Sequence, residues 1–131
     1  MTTVQAITFD LDNTLWETDN SILKAEAKMK KYLESVAPQW MTDFSIESFQ
    51  KTRASIVRER PEIAHKLGEI RKLTLQHWFL QKGAQNIEAS RLAKEGFEVF
   101  YLERQDVKPY PGTDETLEIL ARKFPLAVIT N

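Results

Sequence analysis

Two carboxylates two residues apart, Asp10 and Asp12, follow directly on the short, largely apolar run Val4 to Phe9. In extended chain, residues two apart lie on one face, so both side chains can address one point. Paired carboxylates suit a hard, oxygen-preferring cation, and Mg²⁺ is the usual one where phosphate is handled. They also permit a division of labour. One carboxylate can attack phosphorus as a nucleophile. The other can protonate the leaving oxygen and then take a proton from water. A solvated turn after a strand has the same composition, so the surroundings must decide.

The elements that would position this pair can be read from the pattern. Val4 to Phe9 is apolar and β-branched, as in a buried strand. Asp10-Leu11-Asp12-Asn13-Thr14 is rich in turn formers. From about Ser21 the period changes: Ile22, Ala25, Met29, Leu33 and Val36 recur at helical spacing, with Asp19, Asn20 and Ser21 as cap candidates. Pro38 stops that helix. A second is expected from Ser45, with Ile46, Phe49, Ile56 and Val57 on one face. A third should open at Pro61 and stop at Gly83, with Ile63, Leu67, Ile70, Leu73 and Trp78 inside. Asn86 can cap a fourth, carrying Ala89, Leu92, Ala93, Phe97 and Phe100. Pro109-Tyr110-Pro111-Gly112 marks a rigid turn. Thr113 can cap a fifth helix, which Pro125 ends before the apolar strand Leu126 to Ile129.

The order is therefore strand, helical insert, helix, strand. Strands joined through helix are expected to be parallel neighbours, and parallel sheets take ligands at their carboxyl ends. Asp10, Asp12 and Thr130 all fall at such ends. The expected organisation is core over 1–20, a helical bundle over 21–105, and core again over 106–131.

Composition removes other chemistries. The 131 residues carry 18 Lys+Arg against 19 Asp+Glu, a net charge of -1, which leaves no basic footprint for nucleic acid or an anionic membrane. There is no Cys, which excludes disulfides, thiolate metal sites and a thiol nucleophile. The two histidines, His65 and His77, lie far apart in helical sequence and are expected to be structural or surface residues. No glycine-rich phosphate loop is present. The first ten residues lack a basic stretch followed by an apolar one, and no apolar run is long enough to span a bilayer. Both set a cytoplasmic expectation.

Asp10-Leu11-Asp12-Asn13-Thr14 resembles the D-x-D-x-T first motif of the haloacid-dehalogenase-like (HAD) hydrolases. Val128-Ile129-Thr130-Asn131 looks like the second motif, a hydrophobic strand ending in Thr or Ser. The insert resembles the helical C1 cap, and Pro109 to Gly112 the turn where such chains re-enter the core. There is a looser likeness to a bacterial subgroup of sugar- and nucleotide-phosphate phosphatases, which includes the phosphoribitylaminouracil phosphatase of riboflavin synthesis.

The resemblance implies an α/β fold with a Rossmannoid parallel-sheet core and an inserted helical cap. It implies a Mg-dependent phosphomonoesterase working through an aspartyl phosphate. Asp10 would be the nucleophile and a metal ligand. Asp12 would be the general acid/base, with its carbonyl as a further ligand. Thr130 and the N–H of Asn131 would hold the phosphoryl group. Dehalogenases lack an acid at the position of Asp12, because a halide leaves without a proton. The expected partner is a small phosphorylated metabolite, with neither nucleic acid nor membrane; the oligomeric state is left open.

The family also supplies a Lys and one or two acids from later strands, and no positions here match them. The given chain is thus expected to be an N-terminal part of the fold with little activity of its own. Trp16 and Glu17 can line the substrate entrance or pack at the hinge. Arg53, Arg58, Arg60, Arg71 and Lys72 are expected to be solvated, and Trp40 and Trp78 to be packing residues. Two other readings compete: a non-enzymatic phospho-acceptor of the receiver type, against which the long helical insert stands, and a cap-mediated binding module.

Overall fold

In the computed structural model, which describes residues 3–130, the first regular element is β1 (Ile7–Phe9). It pairs in parallel with β2 (Leu126–Val128), setting Ile7 opposite Leu126, Thr8 opposite Ala127 and Phe9 opposite Val128. The backbone bonding runs past both ends. The N–H of Ile7 donates to the Pro125 carbonyl at 3.0 Å, and that of Ile129 donates to the Phe9 carbonyl at 2.9 Å. A parallel pair cannot be joined by a tight turn. Here the connection is five helices: α1 (Asp19–Val36), α2 (Ile46–Glu59), α3 (Leu67–Gln81), α4 (Asn86–Arg104) and α5 (Thr113–Ala121). That order departs from the regular strand–helix alternation of a receiver module.

The chain divides into two units, one of residues up to 23 and from 105 on, the other of residues 24–104. The helical unit has a closed core. Ala25, Met29 and Leu33 of α1, Phe49 of α2, Ile70, Leu75 and Phe79 of α3, and Ala89, Leu92 and Ala93 of α4 are all buried. Gly96 lets α4 come close: a Cβ there would sit 3.1 Å from Leu33 and 3.2 Å from Leu75. Trp78 and Trp40 do pack as expected. The Trp78 indole N–H donates to the Trp40 carbonyl at 2.9 Å, and its ring meets Phe44 edge-on at 5.0 Å.

Four helix starts differ from the pattern reading. Helix α1 already begins at Asp19, and Thr18, whose carbonyl accepts the Ile22 N–H, takes the cap position in place of Asp19, Asn20 or Ser21. Pro61 to Ile63 form a separate 3₁₀ turn, and α3 begins only at Leu67. The N–H of Ala89 bonds to the Gln85 carbonyl, which makes Gln85 rather than Asn86 the residue at the cap position of α4. Gly112, at φ 81°, takes the cap position of α5, with Thr113 as its first helical residue. A positive φ is cheap only for glycine, which places the turn there.

Arg71 is the clear correction among the basic residues. It was expected in solvent, yet it is only 6% exposed. Its guanidinium bonds Glu26 Oε1 at 2.9 Å and lies 3.6 Å from the Phe100 ring centre. Gln50 donates to the other Glu26 oxygen at 3.2 Å. Burial pulls the Arg71 pKa down, and the bond to Glu26 opposes that pull.

Candidate functional site

The site is built on the turn that follows β1. The Leu11 carbonyl accepts from the N–H groups of Thr14, at 3.1 Å, and Leu15, at 2.9 Å, which closes a single tight turn. Asn13 lies in that turn at φ 56°. Asparagine tolerates this left-handed conformation better than most residues. Its side chain is also used: Asn13 Oδ1 accepts from the Thr18 N–H at 2.9 Å. The chain returning at residues 109–110 pairs with the loop through a Trp16–Pro109 bridge. There the Tyr110 N–H donates to the Leu15 carbonyl at 2.8 Å.

Asp12 stands in the middle of this web. Its Oδ1 accepts from the Trp16 indole N–H at 3.0 Å and from the Thr18 hydroxyl at 2.8 Å. Thr18 is buried at 6% exposure, and its carbonyl accepts the Ile22 N–H at 2.9 Å, so it begins α1. The carboxyl of Asp12 is thereby tied to a helix start and to an aromatic ring.

Asp10 follows Phe9, the last residue of β1, and is exposed. Thr130 lies two residues beyond Val128, the last residue of β2, and is exposed as well. Because Phe9 and Val128 are opposite each other, both residues leave the same, carboxyl end of the sheet. Asn131, the fourth expected site residue, lies outside the described residues.

The available metal donors are oxygens. The Asp10 carboxylate and the Asp12 carbonyl are the hard ligands that Mg²⁺ accepts, and that ion commonly keeps only one or two protein carboxylates beside substrate phosphate and water. The donor chemistry therefore fits the ion as a short protein set. Among the described residues, no group of three or more His, Asp or Glu stands together to hold a metal. His65 and His77 are exposed to solvent.

Sequence reasoning missed Thr18. A threonine just before an amphipathic run reads as a helix cap, and only its place six residues after Asp12 hinted at more. Trp16 was noted, as a hinge or entrance residue; its bond to Asp12 was not foreseen.

Comparison with known proteins agrees with this geometry. A family model described as hydrolase, haloacid dehalogenase-like hydrolase, matches residues 4–131. The 5-amino-6-(5-phospho-D-ribitylamino)uracil phosphatase YigB of Escherichia coli (strain K12) is 31% identical over 128 residues, covering 98% of this chain and 53% of its own length. A crystal structure of a 2-haloacid dehalogenase from Pseudomonas syringae pv. Tomato DC3000 superimposes with a TM-score of 0.84 at 38% identity, covering 98% of this chain and 55% of that one. The chain thus spans about half the length of either relative. With a parallel strand pair, a helical insert and an Asp-x-Asp turn at the sheet's carboxyl end, it belongs to the haloacid dehalogenase-like hydrolases.

Proposed function

We propose that the protein hydrolyses a small phosphomonoester of sugar or nucleotide type, with Asp10 as nucleophile and Asp12 as acid and base. The observation that carries this reading is the carboxyl of Asp12, two residues past Asp10 and held on one oxygen by Trp16 and Thr18. A proton donor fixed at that place has a task when an alkoxide leaves and none when a halide leaves. The likeness to a phosphatase, YigB, points the same way.

The chemistry runs in two displacements. An Asp10 oxygen attacks phosphorus, the bond from phosphorus to the ester oxygen breaks, and Asp12 gives that oxygen its proton. Asp12, now a carboxylate, takes a proton from water as the water oxygen attacks phosphorus. The acyl phosphate opens, inorganic phosphate leaves, and Asp10 is a carboxylate again. Thr130, at the neighbouring strand end, and the N–H of Asn131 are both assigned the task of donating to a phosphoryl oxygen. Mg²⁺, held by the Asp10 carboxylate and the Asp12 carbonyl, would supply charge neutralisation between carboxylate and phosphate. Phosphoryl transfer depends almost wholly on such positioning and electrostatics.

The test is phosphate release from a panel of phosphomonoesters by the protein expressed from its whole reading frame. Asp10→Asn should abolish turnover, and chelation of divalent ions should stop it until Mg²⁺ is returned. Turnover that survives Asp10→Asn would sink the nucleophile assignment. A second reading, halide displacement from a 2-haloacid, is favoured by the 38% identity to the Pseudomonas syringae dehalogenase. Chloride release from 2-chloropropionate without phosphate release from any ester would establish it in place of the first.

A further inference from the structure

We propose that Thr18 and Trp16 are positioning residues for the acid step, acting together to hold the Asp12 carboxyl in the orientation that protonates the leaving group. The inference rests on the phosphatase reading above and extends it to two residues with no assigned part in the chemistry. Three observations carry it. First, both donors converge on the same atom: Asp12 Oδ1 takes the Thr18 hydroxyl at 2.8 Å and the Trp16 indole N–H at 3.0 Å. Two bonds to one oxygen fix the carboxyl's rotation, which a single bond leaves loose.

Second, each donor is itself anchored. The Thr18 N–H is held by Asn13 Oδ1 at 2.9 Å, its side chain is buried, and its carbonyl starts α1. Trp16 is bridged to Pro109 on one side and to Asp12 on the other. Third, the loop is closed upon itself by the turn on the Leu11 carbonyl, so the support belongs to the same short segment as the carboxyl it supports. Catalytic groups require such a supporting shell, because small misplacements lose large factors in rate. The same two donors also stabilise the carboxylate that forms on Asp12 once its proton has left.

Leaving-group dependence separates this role from simple loop stability. An ester whose alcohol is a poor leaving group needs the proton; p-nitrophenyl phosphate, whose phenolate leaves unaided, does not. The experiment compares a simple alkyl phosphate with p-nitrophenyl phosphate in the wild-type protein and in Asp12→Asn, Thr18→Val, Thr18→Ser and Trp16→Phe. Asp12→Asn should lower kcat on the alkyl ester by about a hundredfold or more relative to the aryl ester, the range of general acid catalysis. Thr18→Val and Trp16→Phe should each show the same bias at about tenfold, in kcat and with little change in KM. Thr18→Ser, which keeps the hydroxyl, should keep the wild-type ratio. Equal losses on both esters, or none, in both Thr18→Val and Trp16→Phe would overturn the positioning role while leaving the acid role of Asp12 intact. An Asp12→Asn protein without leaving-group bias would overturn the acid role, and the positioning proposal with it.

Discussion

At the scale of single residues, the pair formed by Glu26 and Arg71 shows how much of the helical unit's order depends on paired charge. Glu26 is fully buried, and both its oxygens are bonded, one to Arg71 and one to Gln50. Removing one partner leaves the other charge uncompensated in the core. Glu26→Gln or Arg71→Leu alone should therefore cost about 3–5 kcal/mol, read as a fall in the urea midpoint. Replacing both with Leu and Met should cost far less, because no lone charge then remains buried. The sequence could not show this, since an arginine on an amphipathic helix looks the same whether it faces water or a buried glutamate. Asp10 and Asp12 stood out in the sequence for the opposite reason: their spacing of two directly after a strand, with Thr14 and a helical insert following, marks a motif and not only a solvated turn. Thr18 was hidden because its residue type also suits a helix cap, the commoner use.

At the scale of elements, local signals located all five helices and both strands, and erred mainly at the edges. Proline at 61 was read as opening a long helix, but Pro61–Ile63 closes as a 3₁₀ turn and the α-helical bonding resumes only at Leu67. Ser45 was read correctly. Its hydroxyl accepts the Ser48 N–H at 3.0 Å, and the Ser48 hydroxyl accepts the Ser45 N–H at 3.1 Å, a reciprocal box at the start of α2. Ser45→Ala removes one half of that arrangement. It should lower stability by about 1 kcal/mol in thermal or urea unfolding, without altering the far-ultraviolet spectrum of the folded state. A loss near zero would mean that water replaces the hydroxyl at no cost.

At the scale of the whole molecule, burial is divided very unevenly. Every buried apolar side chain among the described residues lies between Ala25 and Phe100, whereas the unit that carries Asp10, Asp12 and Thr130 buries only Thr18. Its strands and α5 instead line an open apolar groove of about 360 Å³, formed by Phe9, Leu15, Leu117, Ala121, Leu126 and Val128. No helix of the described residues is long and apolar enough to cross a membrane. The central claim of the proposed function is that Asp10 attacks phosphorus. It is tested most directly by trapping the covalent intermediate. In an Asp12→Asn variant of the protein expressed from its whole reading frame, the second displacement lacks its base. After exposure to p-nitrophenyl phosphate and an acid quench, peptide mass spectrometry should find a phosphoryl group on Asp10. A phosphoryl group on any other residue, or an unmodified Asp10 while p-nitrophenol is released, would contradict the account.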